Sequence, residues 1–302
     1  MKERLSHWAA DIERELEGFC VPESPAHERF AEMLRYGLLG GGKRLRGGLL
    51  LAASEAMGGN YEEALRFAAA LECIHAFSLV HDDLPAMDDS DTRRGKPSHH
   101  KVYGEGMAVL SGDAMLAIAA ERMLAITANA GLNTGLNGED AGEALRGMKR
   151  RADAALTIMR SAGMRGIAAG QFMDLEGTGA PQWQDGGFDA RAALLTDIDQ
   201  RTTAEMFRAA VEAGFILAGA SDEETKAAVS FGLKMGMVFQ IRDDVQDVGA
   251  DDGLITWPAV YGIEESRRRA DELEREALKG IEPLGARCSL LKEFAELMRG
   301  FA

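Results

Sequence analysis

The sequence predicts an all-α protein, a bundle of long helices, and two observations carry that prediction. Of 302 residues, 46% are hydrophobic, with alanine, leucine and methionine plentiful, while aromatics make up 6% and there are seven prolines. That composition favours helix over strand. Apolar residues also recur at helical spacing along most of the chain, punctuated by glycine-rich breaks.

The elements follow in order. A first helix covers roughly residues 2–18. A second runs through HERFAEMLRYGLL and ends at Gly40-Gly41-Gly42, and a third spans Leu45 to Ala56 and stops at Gly58-Gly59. The stretch from Tyr61 to His81 is apolar on most faces, which places it near the centre of a bundle. Pro85 lies just past its end, and another helix begins near Gly106 and continues past Met123. Residues 127–147, rich in Gly, Asn and Thr, are expected to form a surface loop, with further breaks at 176–189 and 248–258. The stretch EESRRRADELEREALKG carries Ala270, Leu273 and Ala277 in a surface-helix pattern. No period of 20–50 residues recurs and no linker composition appears, so a single domain over 1–302 is expected.

The net charge of −15 argues against nucleic acid and against an anionic membrane surface as partners. No run of 18 apolar residues is present, so no membrane span is expected. The N-terminal stretch is charged and amphipathic rather than signal-like, which makes the cytoplasm the expected compartment. Cys20, Cys73 and Cys288 show no metal spacing and fit a reducing environment.

Chemistry concentrates in two acidic clusters. The first, within HDDLPAMDDSDTRRG, holds Asp82, Asp83, Asp88, Asp89 and Asp91; the second, within FQIRDDVQDV, holds Asp243, Asp244 and Asp247. Carboxylates this crowded repel unless a positive charge sits among them. The economical expectation is that both clusters face one pocket and share hard divalent cations. Magnesium suits all-oxygen ligands and binds one or two carboxylates together with substrate phosphates. An isolated acidic pair would be a solvated loop; His81, Pro85 and the following RRGKP argue otherwise. In the second cluster Gln240, Asp243, Asp244 and Asp247 fall at i, i+3, i+4 and i+7, one face of a helix flanked by apolar residues.

An acidic protein that binds an anion needs local positive charge. GGGKRLRGG, residues 40–48, offers glycine-freed amides with Lys43 and Arg46, a phosphate cradle that lacks Walker-loop spacing. Arg93, Arg94 and Lys96 follow the first cluster. Gln171 and Asp174 form a weaker polar pair one turn apart. His75 lies about two turns before Asp82; a lone histidine on an apolar helix is more often a core residue than a ligand. A zinc site from His75, His81 and the aspartates is conceivable, but the oxygen-rich set favours magnesium.

SLVHDDLPAMDDSDTRRGKP resembles the first aspartate-rich motif of the trans-prenyl diphosphate synthases, and FQIRDDVQD resembles the second. GGKRLRG, CIHAFSLVHDD, KVYGEGMAVLSGDAML and GQFMDLEG are similar as well, in the family's order, over roughly residues 30–250. The resemblance implies an isoprenoid synthase fold, helices around a central cavity, in a homodimer. It implies head-to-tail condensation of isopentenyl diphosphate with an allylic diphosphate, dimethylallyl or geranyl. It implies Mg²⁺ as cofactor, three ions with substrate bound, on Asp82, Asp83, Asp88, Asp243, Asp244 and Asp247. Arg93 would meet the allylic diphosphate. Lys43, Arg46, His75 and Arg94 would hold isopentenyl diphosphate. Arg201, Thr202, Gln171 and Gln240 complete the expected substrate contacts.

Product length is expected to depend on the helix before Asp82, where one turn of ~5.4 Å matches about one isoprene unit. Phe77, five residues before Asp82, is the expected floor, which points to farnesyl diphosphate, with geranylgeranyl diphosphate second. The chain departs from the family in two places. Arg201-Thr202 stands where the family has Lys-Thr, and arginine differs from lysine in shape and reach. The segment after the second motif is short, with no lysine between Asp247 and Trp257 and with Ile255 where one is expected. Lys234 and Arg242 are the nearby cations that would make up the charge. Two other readings compete: a terpene cyclase or head-to-head condensing enzyme, disfavoured by GGKRLRG with His75, and a non-catalytic regulatory subunit, favoured only by the missing lysines.

Overall fold

The computed structural model describes residues 1–132, 139–179, 187–248 and 255–300, and 83% of the chain is helical. It divides into two compact units, one of residues 2–51 and 60–155, the other of Met1, 52–59 and 156–302.

The first unit is built around α4 (Tyr61–Asp82), preceded by α1 (Lys2–Glu17), α2 (Glu28–Leu38) and α3 (Leu45–Ala56), whose last turns belong to the second unit. It also holds α5 (His99–Tyr103), α6 (Glu105–Leu132) and the larger part of α7 (Glu139–Ala162). Asn60 starts α4 by accepting the Glu63 amide at 2.9 Å, and Glu62 and Glu63 complement the helix dipole. Its residues Phe67, Ala68, Leu71 and Ile74 are wholly buried, and α6, α1 and α2 pack around it. By length and composition α4 would suffice to cross a bilayer, yet 72% of its most apolar stretch is buried inside the protein. It is the core helix that its all-round apolarity predicts.

Two breaks are shorter than expected. α6 runs to Leu132 and α7 begins at Glu139, so only 133–138 of the expected loop 127–147 fall outside the described residues. Alanines carry α6 onward. In α7 the pairs Glu143–Arg146 and Lys149–Asp153 lie at helical spacing and offset the scattered glycines. α8 (Ile167–Gly179) and α9 (Gly187–Asp199) likewise narrow the break at 176–189. Of the break at 248–258, residues 249–254 fall outside the described residues.

The all-helical expectation has one small exception. Thr92–Arg93 pairs antiparallel with Lys96–Pro97. The turn between them places Arg94 at φ 53° and Gly95 at φ 74°, both left-handed, as a tight hairpin requires.

In the second unit α9 passes through a π-helical turn, Gln200–Ala204, into α10 (Glu205–Ala218). α11 (Asp222–Gln246) opens with a capping box between Ser221 and Glu224 and packs along α10 and along α13 (Ile263–Gly280). Close approach to α10 depends on Gly232: a Cβ there would stand 2.8 Å from the Arg208 Cα. α12 (Trp257–Tyr261) and α14 (Ser289–Met298) complete the unit. Leu195, Ala204, Met237, Ile241, Trp257 and Ala270 form a shared apolar cluster. Cys20, Cys73 and Cys288 are free thiols, all buried, and burial pushes the Cys20 thiol up to about 11.

Candidate active site

The first cluster sits at the C-terminal end of α4. Asp82 is the helix's last residue and Asp83 its cap, after which Met87 and Asp89 donate to Leu84 O and the Asp88 amide returns to Asp82 O at 2.9 Å. Asp82, Asp83 and Asp88 therefore belong to one turn. Asp83 is 2% exposed, and its Oδ1 accepts Arg93 Nε at 2.9 Å and Nη2 at 2.5 Å. Burial works against the Arg93 charge, but the Asp83 hydrogen bond and the charges of Asp83, Asp82 and Asp88 hold it above its ordinary value. Desolvation raises the Asp88 carboxyl, Arg93 opposes the rise and Asp83 adds to it. Asp91, at the end of the run, pairs with Lys101 at 2.6 Å.

The hairpin turn sends neighbouring arginines in different directions. Arg93 goes to Asp83; Arg94 donates to the Gly41 carbonyl. Gly42, at φ 129°, lies beneath the Arg94 guanidinium, and a Cβ there would stand 2.7 Å from Cζ. The backbone conformation calls for glycine, and any side chain there would have to displace the Arg94 guanidinium. Arg46 Nη1 lies 3.3 Å from His75 Nε2. Burial, then the charges of Arg46, Arg94, Arg44 and Arg93, hold the His75 imidazole well below 6.5, so it is neutral at pH 7. Burial and the charge of Arg44 lower Arg94 in the same way. Lys43 is exposed on the same loop. This gathering of like charges in a chain of net charge −15 is suited to a polyanion. Arg44, unassigned in the sequence, is the buried strut of the loop. It donates to Glu13 at 3.0 Å and Leu38 O at 2.6 Å and pairs with Glu72 at 3.7 Å, while Glu72 also accepts the Gly47 amide at 2.8 Å.

A small cavity of about 50 Å³ is lined by Asp83, Arg93, Arg94 and Gly40 among others. Larger clefts of about 710 and 610 Å³ are lined by none of these residues. Phe77, one turn before His81, meets its ring edge-on at 5.2 Å, and the His81 ring lies over Gly112.

In the second unit, Asp243 and Asp244 lie on the last turn of α11, with Asp247 as its exposed cap. Asp244 is 8% exposed; Oδ1 accepts Gln240 Nε2 at 2.7 Å and Oδ2 accepts the Trp257 amide at 2.9 Å. Gln240 Oε1 in turn accepts the Thr203 hydroxyl at 2.8 Å. Thr203, not Thr202, thus reaches the second motif: the Thr202 hydroxyl bonds back to Ile198 O at 3.0 Å. Arg201 turns to Asp197 at 2.9 Å. Gln171 and Asp174 lie partly buried on α8. Asp199, missed in the sequence, accepts Trp257 Nε1 at 2.6 Å. Burial, then the Asp244 charge, hold its carboxyl well above the usual range; the indole bond opposes this and Asp174 adds to it.

The two cations expected to stand in for lysines are committed elsewhere. Lys234 pairs with Glu276 at 2.9 Å, and Arg242 pairs with Asp271 at 3.0 Å and Glu274 at 2.8 Å, all on α13. Ile255 packs against the apolar cluster around Trp257.

Among the described residues no three His, Cys, Asp or Glu side chains form a closed ligand set. The donors that the two motifs present are all carboxylate oxygens. That fits a hard cation which takes one or two carboxylates and fills its shell with phosphate oxygens and water, and it fits zinc poorly.

An all-helical fold with carboxylate-tipped helices and a glycine-lined cationic loop is the make-up of a prenyl-transferring enzyme. The polyprenyl synthetase family model matches residues 27–282, and the chain belongs to that family. It is 37% identical over 271 residues to a chloroplastic geranylgeranyl pyrophosphate synthase of Capsicum annuum, covering 85% of this chain and 67% of that one. It is 39% identical over 263 residues to geranylgeranyl pyrophosphate synthase 11 of Arabidopsis thaliana, covering 83% and 68%. A solved FPP/GFPP synthase from Zymomonas mobilis superposes with a TM-score of 0.82 at 30% identity, covering 98% of this chain and 97% of that one.

Proposed function

We propose that this prenyltransferase is a short-chain trans-prenyl synthase that condenses isopentenyl diphosphate head-to-tail with dimethylallyl or geranyl diphosphate, giving farnesyl diphosphate. The observation that carries the reading is the union, within one compact unit, of the Asp82–Asp83–Asp88 turn with the Arg94–Gly42 and Arg46–His75 cradle. Carboxylates for a cation and bases for a diphosphate are there together.

In this reading Asp82, Asp83 and Asp88, and separately Asp243, Asp244 and Asp247, hold magnesium. Bound magnesium supplies charge neutralisation to the departing diphosphate. Arg93, steadied by Asp83, adds its guanidinium to that leaving group as the allylic C–O bond ionises. Arg46, Arg94, Lys43 and neutral His75 hold the diphosphate of isopentenyl diphosphate, so its double bond attacks the allylic cation from a fixed distance. That attack forms the new C–C bond and leaves a tertiary cation on the isopentenyl unit; a proton from the carbon beside it passes to the released diphosphate, and the C–H electron pair becomes the new double bond. The neutral imidazole donates or accepts a hydrogen bond without adding a fourth crowded charge.

The names of the plant relatives favour a geranylgeranyl product; the aromatic floor at Phe77 favours the shorter one. A single domain over 1–302, in a homodimer that works in the cytoplasm, completes the proposal. The family match across both units supports the single domain, whereas the plant relatives are chloroplastic proteins.

Labelled isopentenyl diphosphate with magnesium and each allylic primer in turn tests the reading. Farnesyl diphosphate from wild type and longer products from Phe77→Ala are expected. A geranylgeranyl product from wild type rejects the floor assignment. Absence of turnover with every one of the primers rejects the enzyme and leaves the non-catalytic subunit.

A further inference from the structure

The segment after the second cluster lacks the expected lysines, and its described end, at Trp257, is held by hydrogen bonds to carboxylates. Trp257, the first residue of α12, is 4% exposed and bonds to two different carboxylates. Its indole N–H donates to Asp199 Oδ2 at 2.6 Å, and its backbone N–H donates to Asp244 Oδ2 at 2.9 Å. The indole stacks on Tyr261 at 5.1 Å with the planes 19° apart. Tyr261 in turn lies under Arg269 at 4.0 Å and meets Phe188 edge-on at 5.4 Å. With Gln240 on Oδ1, Asp244 is held at both oxygens.

The geometry points to Trp257 and Asp199 as positioning residues for Asp244. The indole bond fixes the first turn of α12, and the Trp257 amide then aims the Asp244 carboxylate at a divalent cation and the diphosphate it carries. Neither residue touches substrate. Both act through Asp244, so their loss changes how much magnesium is needed rather than how isopentenyl diphosphate binds. The inference rests on the magnesium reading given above.

The purified full-length chain provides the test. Magnesium-dependent binding of inorganic diphosphate is followed by calorimetry for wild type, Trp257→Phe, Asp199→Leu, Asp199→Asn and the Trp257→Phe/Asp199→Leu double variant. Trp257→Phe keeps the aromatic stack and loses the donor; Asp199→Asn keeps an oxygen acceptor. Trp257→Phe and Asp199→Leu are expected to weaken binding about tenfold, the scale of one hydrogen bond to a charged group. Asp199→Asn stays within about twofold, and the double variant is no weaker than either single one, because both remove the same bond. KM for isopentenyl diphosphate stays within about twofold throughout. A lower Tm in Trp257→Phe with an unchanged magnesium requirement overturns the inference, since that is the mark of a core anchor alone. So does an Asp199→Asn variant as weak as Asp199→Leu. Wild type that binds no diphosphate with magnesium overturns the proposed function as well, which separates the two failures.

Discussion

Arg93 and Arg94 are neighbours in sequence, yet one serves a carboxylate and the other a glycine loop, because Arg94 adopts φ 53°. A basic pair was legible in the sequence; its division was not, since it depends on a left-handed residue that composition does not betray. The same holds for Thr203. The resemblance names Thr202 as a substrate contact, whereas the hydroxyl that reaches Gln240 is that of Thr203, presented by a π turn that local sequence does not announce. His75 gives the test at this scale. Its folded pKa lies well below 6.5, so the unfolded chain takes up a proton that the folded one refuses. Stability contributed by the neutral imidazole is fully present above the unfolded value and is lost progressively as pH falls from about 6.5 toward the lower folded value. Thermal midpoints measured from pH 8 to pH 5 should fall more steeply for wild type than for His75→Asn.

Among elements, the helices from 2 to 82 were legible almost to the residue, because glycine clusters and Pro85 mark their ends. The stretch 127–147 was not: its glycines and asparagines are diluted by alanines, and i, i+3 and i, i+4 ion pairs in and just beyond it sustain α7. The Asp199–Trp257–Asp244 chain was invisible because its members lie on three separate elements and only packing unites them. Where α11 crosses α10, the backbone itself forms the contact. Gly232→Ala should lower stability by about 1–3 kcal/mol, an overpacking cost, because the Arg208 Cα has no rotamer to yield. Gly18→Ala, with nothing within 4 Å, is the control and should not lower the midpoint in a denaturant titration, and a small rise is expected from the stiffer unfolded chain.

Over the whole molecule, 49 acidic side chains face 34 basic ones, and some of the acids are crowded at helix ends. Self-repulsion of that kind is relieved by any cation or cationic assembly that binds the folded chain and not the unfolded one. Magnesium with inorganic diphosphate, at about a hundred times its dissociation constant, should add about 2.7 kcal/mol and raise Tm by several degrees, and a chelator should reverse the gain. Differential scanning fluorimetry decides it; equal midpoints with and without the pair would count against the metal assignment. The class of enzyme was legible from short motifs because each is a local run of residues. What the sequence withheld were the partners that fix those motifs in place, which come from elsewhere in the chain.

All three sulfhydryls lie inside the folded protein. Alkylating reagents therefore find nothing to modify until a helix lifts away. Labelling at Cys20 and Cys73 clocks the opening of the first unit and labelling at Cys288 that of the second, so native cysteines alone report which half of the chain loosens first.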